Sequence, residues 1–392
     1  MKSNFKLSTW PNYSKFEANI VKKTIQSNKV NYWTSDKCKI FENNFSKFHG
    51  TKYAVSVMNG SVALEIALKA IGLKKNDQVI VTSKSFVISA SAVLNIGAKP
   101  IFSDIDYQSG NIDPDNLKKL INKNTKAIIV VHLSGWPSKM RKIIKLTEKF
   151  NVKVIEDCSQ AHGAKIKNKY VGSFGDLSIW SFCNDKIMTT GGEGGMIATN
   201  NKNYFKKINS YKDHGKNFAK IRKNKKKIGF QYVHDDFGSN YRMTAMQAAI
   251  GIYQLKKLDS WVLNRFRSYK YFLKSLKNVR GILIPKIPAE ITHATYRMYV
   301  YLDLKMIKNK FNVRDVIKMI RSYGVPCSTG ACSEIYRELV FKKYLKKNFK
   351  RLKNAKLSDE TSIVFFVNPF TKKKEIDFMS DTLKRVLYKI TR

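Results

Sequence analysis

The chain of 392 residues combines a formal net charge of +44 with 43% hydrophobic and 12% aromatic residues. This charge is far above the magnitude of about 2–8 that is usual for a small soluble domain. The apolar content is nevertheless enough for a large core, which argues against disorder as the main state. The length suggests two domains or one large one. Apolar runs such as Ala127–Val131 are too short to cross a bilayer, so we expect no membrane association.

The N-terminus and the cysteines indicate the compartment. The first residues lack the apolar stretch of a secretion signal. The five cysteines, an odd number without CxxC spacing, fit free thiols in a reducing compartment. We therefore expect a cytoplasmic protein with neither a metal site nor a disulfide framework.

The charge raises nucleic-acid or polyanion binding as a function from another class. Two runs are densely basic, Lys220–Lys227 and Phe341–Lys356. Most of the lysine is spread over the whole chain, however, and no helix-turn-helix, zinc-finger or RNA-recognition pattern is present. A solvated, lysine-rich surface is the favoured interpretation, and nucleic acid is an unlikely partner.

From about residue 50 to residue 200, apolar β-rich runs alternate with helix-length segments. The predicted strands are Gln78–Ser83, Lys99–Asp104, Ala127–Leu133, Val152–Asp157, Leu177–Phe182 and Gly194–Thr199. The predicted helices are Val62–Ile71, Phe86–Ile96, Pro114–Ile121 and Ser138–Phe150. This alternation predicts a mostly parallel sheet covered by helices on both faces. Ligands of such sheets bind at the carboxyl ends of the strands.

The pattern changes in the last third of the chain. A helix is predicted over about Thr244–Leu258, and mixed helix and strand follow from Trp261. We therefore predict an α/β fold with a large domain over 1–258 and a smaller C-terminal α+β domain over 259–392. The N-terminal segment is expected to pack on the small domain.

One stretch of the chain stands out because it almost lacks lysine. Val171–Asn200 contains a single lysine, Lys186, and no arginine, which suggests an interior segment. A lysine in a largely apolar site has a lowered pKa, because burial disfavours its charge. Such an amine is a usable nucleophile that can form a Schiff base. An exposed loop lysine is the open alternative.

Three further segments carry groups that could act in catalysis or binding. Asp157 ends a predicted buried strand, where a carboxylate can pair with a protonated ring nitrogen or cap the next turn. Asn59–Gly72 begins with Asn-Gly-Ser and opens a helix, a good but common arrangement for binding phosphate. Phe237–Gly251 places Asn240 in a polar loop before a helix.

The combination of these segments is more specific than any one of them. Taken in chain order, they resemble the DegT-type (DegT/DnrJ/EryC/StrS) sugar aminotransferases, pyridoxal phosphate (PLP) enzymes with the aspartate-aminotransferase-like fold. The resemblance runs through most of the chain. Its motifs are NGSVAL, GAKPIFSDID with GNIDP, TKAIIVVHLSGWP, VIEDCSQAHGA, SFCNDK, GGEGG, DHG, NYRMTAMQAAIG and GVPCSTGACSEIY.

The resemblance implies a role for each matching residue. Lys186 matches the lysine that holds PLP as a Schiff base and moves protons, and Asp157 matches the partner of the ring nitrogen. The other cofactor-binding matches are Gly60, Ser61 and Ser181 to the phosphate, Phe86 stacking on the ring, Gln160 near the ring hydroxyl, and Asn240 reaching the phosphate from the neighbouring subunit. A homodimer with shared active sites follows.

The resemblance also implies the reaction. L-glutamate gives its amino group to a keto-sugar nucleotide, making an amino sugar for a surface polysaccharide such as lipopolysaccharide. Relatives with histidine at the lysine position are dehydratases, so a PLP-dependent sugar dehydratase is the alternative within the family. Possible substrate-side residues are His214, His293 and Tyr296, with Lys225 and Lys226 as a hypothetical site for the substrate diphosphate or part of a generic surface loop.

Overall fold

The computed structural model describes residues 6–223, 228–345 and 347–392. The strands are β1 (Tyr53–Val57), β2 (Gln78–Thr82), β3 (Lys99–Ser103), β4 (Thr125–Val131), β5 (Lys153–Asp157), β6 (Lys165–Ile166), β7 (Lys169–Tyr170), β8 (Leu177–Ser181), β9 (Gly195–Thr199), β10 (Ile282–Leu283), β11 (Ile291–Thr292), β12 (Arg297–Leu302), β13 (Cys327–Ser328) and β14 (Ser362–Phe366).

The helices surround these strands. They are α1 (Lys15–Gln26), α2 (Lys37–His49), α3 (Gly60–Ile71), α4 (Ile88–Asn95), α5 (Pro114–Leu120), α6 (Met140–Glu148), α7 (Lys202–Lys212), α8 (Phe218–Lys223), α9 (Ala245–Leu255), α10 (Leu258–Ser275), α11 (Val313–Ser322), α12 (Lys353–Thr361) and α13 (Lys373–Ile390). Short 3₁₀ segments occur at Leu133–Gly135, Ile335–Arg337 and Leu339–Tyr344.

A seven-stranded sheet forms the centre of the fold, in the order β1-β9-β8-β5-β4-β2-β3. Five neighbouring strands of this sheet, β8, β5, β4, β2 and β3, pair in parallel, as the alternating pattern predicts. β9 runs antiparallel to both β8 and β1. The predicted fold class, an α/β protein with a large and mostly parallel sheet, is thereby confirmed.

Alternate residues of the central strands explain why helices cover both faces. On β4, Ile129 and Val131 pack into the core that contains α3 and α4. Ile128 and Val130 point the opposite way and pack against residues of α5 and α6. Because both sides of each strand are buried, the strands consist of nearly continuous apolar residues.

A second sheet lies in the C-terminal part, with the antiparallel order β10-β12-β14-β13. Its core includes residues of α10, α11 and α13. The long helix α10 connects this core to an apolar cluster beside the large sheet. Leu258 and Val262 of α10 belong to that cluster, and Tyr269 and Phe272 belong to the core of the second sheet. The domain boundary at residue 258 remains a prediction.

The N-terminal segment crosses onto the C-terminal part. The Ser8 hydroxyl donates to the Glu375 carboxylate of α13 at 2.9 Å, and the Asn368 side chain donates to the Ser8 carbonyl at 2.6 Å. The Trp10 indole donates to the Lys186 carbonyl at 2.8 Å, so this segment also reaches the loop after β8. Within the described ranges, no helix has the length and apolar character needed to cross a bilayer.

Candidate active site

A cavity of about 580 Å³ opens at the carboxyl end of the central sheet. Its volume falls within the range of roughly 300–1,000 Å³ that is usual for ligand sites. Loops after β2, β5 and β8 and the start of α3 form most of its wall. The lining includes all of the predicted cofactor residues except Asn240, namely Gly60, Ser61, Phe86, Asp157, Gln160, Ser181 and Lys186.

The start of α3 forms one end of this cavity. Asn59 is extended and caps the helix, since its side chain accepts from the Val62 backbone N–H at 2.9 Å. The preceding N–H groups, of Gly60 and Ser61, have no earlier helical carbonyl to bind. A Cβ on Gly60 would lie 2.6 Å from the Cβ of Ser181, so glycine lets the helix approach β8 closely. These groups form a cradle suited to an anion.

Asp157 is the last residue of β5 and lies buried at the cavity wall. Burial raises its pKa, although the Ser159 backbone N–H donates to its Oδ1 at 3.0 Å and opposes the rise. No described cation forms an ion pair with this carboxylate. Asp157 is therefore a buried acid that would gain from a positively charged partner in the cavity.

The neighbouring carboxylate, Glu156, points to the other face of β5. It is fully buried and accepts four hydrogen bonds at 2.7–3.1 Å, from His132 Nε2 and the backbone N–H groups of Gly172, Phe174 and Gly175. His132 and Cys158 lie close enough to share a metal with Glu156. However, the His132 Nδ1 accepts from the Ser138 N–H at 3.0 Å, so the other nitrogen carries the proton that bonds Glu156. This cluster is a structural hydrogen-bond network.

Lys186 lies on the loop after β8, with its side chain 18% exposed. Its Nζ is 3.2 Å from Asp185 Oδ1 and 5.2 Å from the centre of the Tyr296 ring. The Tyr296 hydroxyl donates to Asp185. Lys186 is thus held between a carboxylate and an aromatic face at the cavity wall.

The expectation of a lowered Lys186 pKa is wrong. Burial alone lowers the pKa of Lys186, but the negative charges that Tyr296 and Asp185 carry when deprotonated outweigh burial, and the pKa is raised. Burial raises the pKa of Tyr296 to about 12, so this hydroxyl stays protonated at neutral pH and donates a hydrogen bond to Asp185. The Lys186 amine is therefore a cation at neutral pH and must lose a proton before it can act as a nucleophile.

Two other predicted cofactor residues, Phe86 and Gln160, also line the cavity. Phe86 is 66% exposed. Gln160 is buried, and its side chain accepts from the Ser134 backbone N–H at 2.7 Å and donates to the Cys332 sulfur at 3.3 Å. The side chain of Gln160 is thus already oriented by the protein.

Of the predicted substrate residues that the structure describes, only Tyr296 lines the cavity. His293 is buried elsewhere, with its Nδ1 accepting from the Thr295 N–H at 2.9 Å and its ring against Trp136 and Tyr269. Burial lowers the pKa of His293 to about 3, so we assign this residue to packing. His214 is exposed and does not line the cavity.

The remaining predicted residues lie on the segment between DHG and NYRM. Asn240 is exposed and pairs through its backbone with Asp213, outside the cavity of its own chain. Lys225 and Lys226 lie outside the described residues, so their diphosphate hypothesis stays a prediction. Lys220, from the same basic run, is paired with Asp235 at 2.5 Å.

Sequence reasoning missed several lining residues. Asp185 directly precedes Lys186 in the chain, and this was a signal that a charged neighbour would change the pKa of Lys186. Cys332 comes from the loop after β13, which reaches the cavity because the backbone of Glu334 pairs with that of Lys84. Nothing in the sequence indicates that contact.

The cavity fits the PLP that the family resemblance implies. Besides its ring hydroxyl, PLP has three groups that need partners: an aldehyde, a ring nitrogen that carries a proton, and a phosphate. The described residues offer the amine of Lys186, the unpaired buried carboxylate of Asp157, and the N-terminus of α3 with Ser181 beside it. The position of Gly60 against Ser181 supports the fit, since a Cβ at this position would collide with the Ser181 side chain beside the cradle.

Comparison with known proteins gives the same assignment. The model of the DegT/DnrJ/EryC1/StrS aminotransferase family matches residues 11–384. GDP-perosamine synthase of Escherichia coli O157:H7 is 38% identical over 269 residues, which cover 68% of this chain and 70% of that protein.

Two structural comparisons cover almost the whole chain. The aminotransferase from Psychrobacter cryohalolentis has a TM-score of 0.95 and 40% identity, covering 98% of this chain and 100% of that one. GDP-4-keto-6-deoxymannose-3-dehydratase, whose structure contains a trapped PLP-glutamate geminal diamine, has a TM-score of 0.85 and 25% identity, covering 97% and 100% of the two chains.

Proposed function

The chain belongs to the DegT/DnrJ/EryC1/StrS aminotransferase family, and we propose that it transfers the amino group of L-glutamate to the keto group of a sugar nucleotide. It is a PLP-dependent aminotransferase of sugar nucleotides. The observation that carries the proposal is the cavity at the carboxyl end of the sheet, where Lys186, Asp157 and the N-terminus of α3 lie together.

We assign one task to each group of residues at this cavity. Bound PLP would supply an electron-accepting ring for the carbon from which a proton is removed. Asp157 holds the proton on the ring nitrogen, and the backbone N–H groups at the start of α3, with Ser61 and Ser181, bind the phosphate. Lys186 Nζ moves a proton at the amino-bearing carbon of the substrate, and Asp185 and Tyr296 orient that Nζ.

The substrate class is inferred from relatives with related activities. The E. coli relative is a GDP-perosamine synthase, which links the family to amino sugars carried on nucleotides. We propose a keto-sugar nucleotide as the acceptor and a surface polysaccharide as the destination of the product. A cytoplasmic location is consistent with the cysteines, all five of which are free.

We also propose that the active form is a homodimer. Four large apolar side chains of the segment before Asn240 are at least 90% exposed, namely Ile228, Phe230, Tyr232 and Phe237. Such a set of exposed apolar side chains is typical of an interaction surface. A second copy is the occupant we favour, because Asn240 follows this segment, is exposed and does not line its own cavity, so it is free to reach the phosphate of the partner.

The proposed function is tested by following the sugar product. We expect the protein, incubated with PLP, L-glutamate and a panel of keto-sugar nucleotides, to release one amino sugar nucleotide and 2-oxoglutarate in equal amounts. Mass spectrometry of the sugar and an enzymatic assay of 2-oxoglutarate measure both products.

The design must separate aminotransferase from dehydratase. Reaction with glutamate alone does not do so, because a dehydratase of this fold also forms a PLP-glutamate adduct. In an aminotransferase reaction the sugar gains nitrogen, whereas a glutamate-driven dehydratase eliminates a sugar hydroxyl and leaves no nitrogen on the product. A deoxygenated keto-sugar without ¹⁵N from labelled glutamate would contradict the proposal.

Sharing of the site between subunits predicts complementation between two inactive variants. Lys186→Ala and Asn240→Ala homodimers should each have little activity. In a mixed dimer, however, one site combines an intact Lys186 with the partner's intact Asn240. Random mixing after co-expression should restore about a quarter of wild-type activity, because half of the dimers are mixed and half of their sites are intact.

The complementation experiment has a direct control. Mixing Lys186→Ala with Asp157→Ala should restore nothing, because both residues are needed from the same chain. Equal recovery in both mixtures, or a monomer by analytical ultracentrifugation of the active protein, would show that the sites are not shared.

A further inference from the structure

A second, smaller cavity of about 260 Å³ lies beside the first. Asp185 lines both, so the two cavities meet at the residue next to Lys186. The rest of the small cavity is formed by the N-terminal segment, the start of β12 and the residues after β14, including Ser8, Trp10, Arg297, Phe366 and Asn368. The Asn368 side chain is already engaged, since its Nδ2 donates to the Ser8 carbonyl and its Oδ1 accepts from the Phe370 N–H.

Arg297 is the cation that lines this small cavity, and the surrounding residues hold its side chain in place. Its guanidinium lies 4.0 Å from the centre of the Tyr296 ring and 4.5 Å from that of the Phe366 ring. Its Nη1 donates to the Tyr296 carbonyl at 3.0 Å and its Nη2 to the Tyr296 hydroxyl at 3.2 Å. The aromatic rings fix the plane of the guanidinium and leave donors at its edge for a planar anion.

The nearest acid does not neutralise Arg297 fully. Asp185 Oδ2 is 3.8 Å from its Nη2, and the same carboxylate already pairs with Lys186 and accepts from Tyr296. A single carboxylate is thus shared between two cations. The arginine therefore retains attraction for a further anion.

A second arginine strengthens the positive field. Arg265 is 1% exposed, lies under the Trp10 ring and donates to the Val367 carbonyl at 2.6 Å. Its Nε and Nη2 have no hydrogen-bond partner among the described residues, nor does a described carboxylate lie within ion-pair distance. Burial, and then the charge of Arg297, lower the pKa of Arg265 to about 9, which still leaves it charged at neutral pH. A buried cation without an acid is costly, so an anion nearby is favoured.

We infer that Arg297, with the buried charge of Arg265 nearby, forms the subsite that binds a carboxylate of the amino donor. This inference rests on the proposed function, since it concerns the donor of that reaction. In an amino acid, the α-carboxylate is attached to the same carbon as the amino group. Arg297 is linked to Lys186 through a single side chain, Asp185, which is the short separation that such a donor requires.

The dimensions favour an amino acid over the sugar nucleotide at this subsite. The diphosphate of a nucleotide sugar is separated from the reacting carbon by the sugar ring, so it needs a longer path from Lys186. A cavity of about 260 Å³ also accommodates a small dicarboxylate more readily than a nucleoside diphosphate. The large cavity is left for the cofactor and the sugar.

Binding of an unreactive dicarboxylate to the PLP-loaded protein tests the inference. Glutarate is the probe, because it lacks an amino or keto group and cannot be converted. Isothermal calorimetry should show glutarate binding weakened about 10- to 100-fold in Arg297→Gln, since a charge-assisted bidentate contact is lost. Arg297→Lys, which keeps the charge but not the planar fork, should give an intermediate loss.

Matched controls make the result specific. Arg280→Gln removes the same charge from an exposed position and should bind glutarate as the wild type does. In Arg297→Gln, the KM for L-glutamate should rise while the KM for the sugar nucleotide stays unchanged. Thermal melting of each variant identifies any that fails to fold, and Arg297→Lys then provides the comparison.

The outcomes separate this inference from the proposed function. Unchanged glutarate affinity in folded Arg297→Gln and Arg297→Lys would overturn the inference, whether or not amino transfer occurs. A raised KM for the sugar nucleotide alone would also overturn it and assign Arg297 to the other substrate. Glutarate binding that depends on Arg297, in a protein that aminates no sugar, would leave the subsite intact and overturn the proposed acceptor.

Discussion

Replacing Lys186 by alanine is expected to lower kcat/KM for amino transfer by at least about 10³-fold, because the side chain combines covalent attachment with acid–base work. The Lys186 Nζ lies at the cavity wall between Asp185 and Tyr296, and no other lysine lines the cavity within the described residues. Removal of the amine should also abolish the visible absorbance of the lysine-bound cofactor. Absorption spectra and steady-state assays of the reconstituted protein measure both effects.

Lys186→Arg is the matched variant, since it keeps a cation beside Asp185 but cannot form the bond to the cofactor. It should fold as well as the wild type and remain as inactive as Lys186→Ala. An alanine variant that retains colour and more than a tenth of the wild-type kcat/KM would contradict the assignment and direct attention to another amine.

The parallel part of the fold could be predicted because buried parallel strands leave a simple signal. Gln78–Thr82 and Lys153–Asp157 are short apolar runs between helices, and their ends follow within one residue of the prediction. Their carboxyl ends meet at one edge of the sheet, so Asp157 could be placed at a ligand site before any contact was known, whereas Ser181 was named only through the family resemblance. The near-absence of lysine around Lys186 likewise marked an interior segment, which is mostly buried.

Contacts between distant parts of the chain could not be predicted. β1 was missed because its pairing with β9 depends on a partner far along the chain. The wrong sign of the Lys186 pKa shift has the same origin, since Tyr296 reaches Asp185 across 111 residues of sequence. The sequence indicated that Lys186 is buried, but it did not show which charged groups lie near enough to outweigh the effect of burial on its pKa. Arg297 was not identified for the same reason.

The site separates the cations that can contact a ligand from the many that make up the net charge of +44. Many of the lysines are exposed, where a salt-screened field acts only over roughly 8–10 Å. The cations at the site are few and mostly buried: Lys186 and Arg297 share the carboxylate of Asp185, and Arg265 has no described acid within ion-pair distance. Both proposed substrates and the phosphate of PLP are anions. The local excess of positive charge therefore accounts for binding of these small anions and does not require a polyanionic partner.

Replacing Asp157 by asparagine is expected to lower kcat by about 10²- to 10³-fold, the usual cost of removing one preorganised electrostatic partner. The asparagine has the same shape and keeps a hydrogen-bond acceptor for the Ser159 N–H, so the cavity should stay intact. What it loses is the charge that holds a proton on the ring nitrogen. Cofactor affinity should fall too, and both are measured by PLP titration and single-turnover kinetics.

The adjacent carboxylate provides the control for Asp157. Glu156→Gln should lower the melting temperature, since its carboxylate accepts three backbone N–H bonds, but should leave kcat per bound cofactor nearly unchanged.

The pH dependence gives a second, independent check of the role of Asp157. Burial raises the pKa of Asp157 in the cofactor-free chain, so this chain should gain stability as the pH falls through that pKa, and PLP affinity should decrease over the same range. Asp157→Asn should show neither change, and an asparagine variant that still loses PLP in this pH range would assign the titration to another group.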